Sequence, residues 1–424
     1  MRAASCRSRP GFGGPDPPLA SSTSSTSSTS RTAPAELVAV ALLAAATAVA
    51  AIARRVSLPE SVVLVVVGLF GAVLFPEIRF AVTPALVLGV FIPGLVFAAA
   101  YTIDWSDLRA VLGPVIGLAV PGVVASAAVV AILLTATGLP LELAFVVGAI
   151  TAATDPVAVV ATMSRLGVPK ALRTLVEAES LLNDGTGLVL FALAVRAAST
   201  GIGLLEGAAL FAITVLVSAI VGVAGAVVAA RAIAWSGERT IQLATTLVLA
   251  YGTFQLAAAI GLSGILATVI AGITLGTLMR RSAASSALVA EVEDLWAVVA
   301  FALTSLVFLL IGFAIAVPSL VGAASGIVLG TIGVVVARGL MVYLPAALTR
   351  LWAGARRLPR GWTHVVFWSG LRGAVALAAA LSLPPDFRER ELVQDISFGI
   401  VLATLLLQGT TAPLVVRRAL AHGT

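Results

Sequence analysis

Charge is the first thing this 424-residue chain lacks: only 11% of its residues are Asp, Glu, Lys or Arg, while 60% are hydrophobic. A water-soluble domain carries roughly a quarter of its residues charged, so a bilayer is the expected solvent. Cysteine is nearly absent. The single Cys6 lies near the N-terminus, which excludes intramolecular disulfides and cysteine-built metal centres. Histidine is limited to His364 and His422, too few for a zinc or copper site. The same shortage argues against an intramembrane serine protease built on Ser263 in GLSGIL, whose nucleophile needs a nearby base. Aromatics make up 6%, and the basic residues occur singly or in pairs despite a net charge of +6. That pattern offers no nucleic-acid face. Strands of alternating polarity are also missing, which argues against a membrane β-barrel.

What is present is one apolar segment after another. Residues 1–34 are Pro-, Ser- and Thr-rich, with an SSTSSTSSTS tract, and are expected to be a disordered tail. The first apolar run starts late and ends at Arg54-Arg55, so it does not read as a cleaved signal peptide. From Ala35 about thirteen segments are long enough to cross a bilayer, which takes about 20 residues each. Their cores are 35–53, 60–76, 83–101, 110–136, 141–163, 172–197, 203–233, 240–260, 263–280, 295–316, 319–348, 362–383 and 392–416. The runs 110–136, 203–233 and 319–348 exceed one bilayer thickness and are expected to tilt, kink or project. Residues 35–418 thus form the expected membrane domain, with 419–424 as a short C-terminal tail. Thirteen spans with the N-terminus outside put sixteen of the 26 Lys and Arg residues on one side, against Arg79, Arg196, Arg388 and Arg390 on the other. By the positive-inside rule the basic side and the C-terminus are cytoplasmic.

A charge at mid-bilayer is costly, so ionisable residues inside spans are functional candidates. The sequence offers Asp155, Glu179, Asp184, Arg372 and, less centrally, Arg338. In AITAATDPVAVVATM, Pro156 disfavours helix at Asp155. A mid-membrane break is tolerable where it is buried in protein or lines a cavity. Thr151 and Thr154 offer oxygen ligands there, although a simple proline kink capped by Asp155 is the alternative. In LVEAESLLNDGTG, helical spacing puts Ser180 and Asp184 on one face and Glu179 and Asn183 on the next. Such hard oxygen donors suit an alkali cation, while interhelical hydrogen bonding without an ion is the plainer alternative. In HVVFWSGLRGAVALAAAL, Arg372 stands between Gly370 and Gly373 and needs a carboxylate partner, for which Glu179 is the expected choice. Two interrupted spans running in opposite directions point to an inverted-repeat transporter.

TDPVAV, ESLLNDGTG and GLRGAVALA, in this order and spacing, resemble the signature runs of the cation:proton antiporter family 1, which comprises the NhaP-type and eukaryotic sodium/proton exchangers. The likeness extends over about residues 35–418. It implies an all-α polytopic membrane protein and homodimer in the cell (plasma) membrane, with core and dimerisation helices and two broken helices crossing near the ion. It implies Asp184 as the carboxylate for cation or proton, with Asp155 and Thr154 at the crossing and Ser180 as a ligand, so that Na+ would meet Asp184, Ser180 and Thr154. Asn183 would be structural, Glu179 would pair with Arg372, and Arg338 in VARGLMVY resembles a second family arginine near the core. Where many members carry an acid after the phenylalanine of the third segment, this chain has Ala98. The implied activity is exchange of Na+ or Li+ for H+, electroneutral because Asn183 rather than an acid precedes Asp184, with no enzymatic reaction and no cofactor. A K+/H+ antiporter on the same fold is the alternative, and a cation channel a more distant one.

Overall fold

The computed structural model describes residues 44–49, 51–52, 59–74, 83–282, 286–315, 317–351 and 359–421. Within them lie α1 (Glu60–Leu74), α2 (Pro84–Thr102) and α3 (Trp105–Thr137). A pair of half-helices follows, α4 (Leu141–Ile150) and α5 (Val157–Arg165). Next come α6 (Lys170–Thr200), α7 (Leu204–Ser236), α8 (Arg239–Ala259), α9 (Gly264–Arg281) and α10 (Ser286–Ala314). The short α11 (Val317–Gly322) precedes α12 (Ala324–Leu351). A second pair of half-helices, α13 (Arg360–Trp368) and α14 (Ala374–Leu381), leads to α15 (Arg390–Ala419).

Among the described residues nine helices are long and apolar enough to cross a membrane. With α1 and the two interrupted pairs they account for twelve of the thirteen expected segments. The first, 35–53, lies mostly outside the described residues, as do the 1–34 tail and residues 422–424. Several helices outrun their apolar cores. α3 begins at Trp105 because Asp104 caps it, its carboxylate accepting from Ser106 N at 2.7 Å, which satisfies an amide the helix cannot. Asp104 lies in the loop between spans, and the Ser106 hydroxyl, which donates to it at 2.6 Å, together with this amide bond and Arg280 nearby, holds its carboxyl below the usual range. The over-long run 110–136 is interrupted at Val120, immediately before Pro121, as proline's missing amide requires. By contrast α7 runs 33 residues without a break, about 50 Å at 1.5 Å per residue, and so exceeds a bilayer core.

Both proline- and glycine-marked spans are interrupted. The first has no helix over 151–156 and the second none over 369–373. The two breaks touch: the Asp155 amide donates to the Leu371 carbonyl at 2.8 Å. Gly373 permits the approach, since a Cβ there would overlap the Asp155 carboxylate. The larger apolar core surrounds this crossing. A second, smaller core joins Phe97, Ala98 and Tyr101 of α2 to α7, α8, α9 and Trp296 of α10. There Trp296 Nε1 donates to Thr246 at 3.0 Å.

Candidate ion site at the helix crossing

Asp155 sits where two helices begin. Its carboxylate accepts from the Val157 amide at 3.0 Å and from the amide of Ala374, the first residue of α14. One negative charge therefore meets the N-terminal ends of both half-helices, where free amides and the helix dipole favour an anion. Proline kink and cap thus coexist with a carboxylate held at the crossing. Arg372 has the complementary position. Its Nη1 donates to the carbonyls of Ala152 and Ala153 at 3.1 and 3.3 Å, just past the C-terminal end of α4, and its amide reaches Thr404 Oγ1 at 3.3 Å. A cation at a helix C-terminus is favoured by the same dipole.

This placement corrects the expected Glu179–Arg372 pair. Glu179 is held instead by Arg338 of α12, Nη1 to Oε1 at 2.7 Å and Nη2 to Oε2 at 3.0 Å. The same guanidinium also donates to Val366 O and Ser369 Oγ at the end of α13. Arg338 can grip the carboxylate with both arms of its planar fork, whereas Arg372 is turned towards the orphan carbonyls after α4. Both arginines are buried, at 6% and 1% exposure, as is Glu179 at 1%.

A hydrogen-bonded relay joins this pair to the break. Asn183 Nδ2 donates to Glu179 Oε1 at 2.9 Å and to Thr154 Oγ1 at 2.5 Å, while its Oδ1 accepts from the Thr154 amide at 3.0 Å. The Thr154 hydroxyl donates to Ser180 Oγ at 3.3 Å, and Ser180 donates to the Thr154 carbonyl. Thr151 takes no part. Its hydroxyl donates to Val147 O at 2.8 Å within its own helix, correcting the expectation that it supplies a ligand oxygen.

The two faces of α6 do different things. Glu179 and Asn183 face the Arg338 side, whereas Ser180 and Asp184 line a cavity of about 320 Å³ together with Thr154, Asp155 and Ala98. The cavity reaches Arg173 and Glu177 on α6 and Glu293 on α10, towards the end of the spans that carries Arg165, Lys170, Arg280 and Arg281. Its inner end therefore gathers two carboxylates, two hydroxyls and the Thr154 carbonyl in apolar walls. Such oxygens suit a hard cation. No group of three or more His, Cys, Asp or Glu is placed to hold a metal ion among the described residues.

Some polar residues of this region escaped the sequence reading. Ser369, Thr404 and Ser126 are lone hydroxyls in apolar runs; Ser369 and Thr404 bond back to their own helices and also accept from Arg338 and the Arg372 amide, a second role that sequence does not signal. Glu177, bonded to Arg173 at 2.7 Å, could have been found as an i,i+4 pair. Glu293 carried no such signal, because Arg280, its partner at 3.4 Å, lies on another helix.

The chain matches the family described as sodium/hydrogen exchanger, transmembrane, over residues 39–418. It is 35% identical over 374 residues to the Na(+)/H(+) antiporter ApNhaP of Aphanothece halophytica, covering 85% of this chain and 70% of that one. With the Na(+)/H(+) antiporter NhaH of Halobacillus aidingensis it shares 32% identity over 87% of its own length and 94% of the relative's. The solved structure of the sodium proton antiporter MjNhaP1 from Methanocaldococcus jannaschii superposes with a TM-score of 0.71 at 20% identity, over 91% of this chain and 98% of that one. At that identity the likeness speaks for the fold. Together with the crossing of two broken helices beside Asp184, these matches establish the chain as a member of the sodium/hydrogen exchanger family.

Proposed function

We propose that the protein exchanges Na+ for H+ across the membrane, the two contending for one site centred on Asp184. The observation that carries this reading is the cavity that ends on Asp184 and Asp155 at the crossing, with Ser180 and Thr154 beside them. A cation leaving Asp184 is replaced by a proton, so the carboxylate is never left bare in a low-dielectric site, where an uncompensated charge is costly. Asn183 and the Glu179–Arg338 pair hold the site without binding the ion. Because one carboxylate takes either a cation or a proton, exchange is electroneutral.

The cavity marks an arrangement open to the arginine-rich side, which we assign to the cytoplasm of a plasma-membrane protein. A second cavity, of about 610 Å³, lies towards the opposite ends of the helices and is lined by Leu188, Leu193 and Arg196 of α6 and by Gln255. Between the two, Leu266 of α9 packs on Gly185, where a Cβ would overlap the leucine side chain. Alternating access then consists of closing the first cavity and parting Leu266 from Gly185. The exposed apolar residues of α7, among them Leu205, Leu216 and Ile220, form the face on which we place a second copy in a homodimer.

A K+/H+ antiporter is the second reading. Ala98 lines the cavity where many members of the family carry an acid, so one ligand that would select a small cation is missing. Proton movement in everted or reconstituted vesicles, driven in turn by Na+, Li+ and K+, decides between the two. Response to Na+ or Li+ is expected, and a response to K+ alone would overturn the sodium assignment.

A further inference from the structure

Behind the ion site, on the Arg338 side of the crossing, lies a small space of about 20 Å³. Its wall includes Ser126 of α3, Thr154, Glu179, Asn183, Arg338 and Arg372. Two of these bring unmet hydrogen-bonding capacity to it. Ser126 Oγ and Arg372 Nε are buried and make no hydrogen bond among the described residues, with Ser126 7% and Arg372 1% exposed. A buried polar atom left unpaired is costly, and such orphans are uncommon in folded proteins. Both belong to residues that line this one space.

We infer that this space is a built site for a single water molecule. The volume fits, since a water needs about 10–15 Å³ of such space and two to four polar partners. The charges fit as well. Two guanidinium groups repel a cation, and the Glu179 carboxylate in the same wall disfavours an anion, which leaves a neutral hydrogen-bonding molecule of water's size. The water accepts from Arg372 Nε–H and donates to Ser126 Oγ, with its second hydrogen directed at the acceptor oxygens of Glu179 or Asn183.

Ser126 thereby becomes a positioning residue. Arg372 is already fastened to the end of α4 through Ala152 and Ala153 and to α15 through Thr404; the water adds α3. Thr154 lines both this site and the ion cavity, so the water supports the crossing from the face opposite the cation. It also supplies, indirectly, a link between Arg372 and the Glu179 cluster that no direct bond provides.

Substitution at Ser126 tests the site without any transport assay. Ser126→Ala removes one partner and leaves room for water. Ser126→Val fills the space and expels the water, leaving Arg372 Nε unpaired, whereas Ser126→Thr keeps a hydroxyl. In the purified full chain, Ser126→Val should melt several degrees below Ser126→Ala, and Ser126→Thr should lie nearest the natural protein. If Ser126→Val melts at or above Ser126→Ala, the space is dry and is merely better filled, and the inference falls. Should Ser126→Val not fold, a density map of the unmodified protein in a lipid nanodisc at about 2 Å decides the matter. One ordered water within hydrogen-bond distance of both Arg372 Nε and Ser126 Oγ is expected. Its absence, where other buried waters are resolved, would overturn the site.

Discussion

Arg338 and Arg372 are both buried arginines on glycine-flanked stretches, yet they are neutralised by different means. Arg338 meets a carboxylate with two arms, and Arg372 meets the carbonyls that follow α4. Breaking a buried ion pair by removing one partner costs about 3–5 kcal/mol, because the remaining charge is uncompensated. Arg338→Ala should therefore lower stability by about that much, and adding Glu179→Gln should restore part of it. A double-mutant cycle on melting of the purified protein measures this coupling. It should be larger for Glu179 with Arg338 than for Glu179 with Arg372, and the reverse order would reinstate the pair that the sequence suggested. Thr154→Val is expected to cost about 1–3 kcal/mol, since it leaves one N–H of the buried Asn183 amide without its acceptor; melting at the natural temperature would count against the Thr154–Asn183–Ser180 relay.

At the scale of the element, the interruptions decide the architecture. Pro156 and Gly373 made both breaks legible in sequence, through a missing amide and a missing side chain. The helical repeat also separated Ser180 and Asp184 from Glu179 and Asn183. Direction across space was not legible: nothing in one sequence says whether Arg338 or Arg372 reaches Glu179, because the choice depends on how α12 lies against α13. Nor could the sequence tell that Thr151 bonds back to its own helix while Thr154, three residues on, turns to Asn183. Close approach at Gly373 supplies the element-scale test. Gly373→Ala drives a Cβ into the Asp155 carboxylate, and overpacking of that kind typically costs about 1–3 kcal/mol. Loss of most exchange is expected in Gly373→Ala vesicles, with protein still inserted. Undiminished exchange would mean that the two breaks do not meet as described.

For the whole molecule, the cavity that reaches Asp184 should be entered from the arginine-rich side and the other from the opposite side. Cys6 is the single native cysteine, so a Cys6→Ser background permits accessibility mapping. Ala297→Cys lies in the wall of the cavity that reaches Asp184 and should react with an impermeant thiol reagent from the arginine-rich side. Leu193→Cys, in the other cavity, should react from the opposite side. Labelling of both from the same side would contradict the assignment of the two cavities.

The shared site itself is best reached by counting protons. Calorimetric titration of Na+ into the purified protein, in buffers of different ionisation enthalpy, reports how many protons each bound cation displaces. Displacement approaching one proton per Na+ is expected near the pH where both compete, with neither binding nor release in Asp184→Asn. Sodium binding without proton release, or proton-coupled binding that survives Asp184→Asn, would contradict a single site at Asp184.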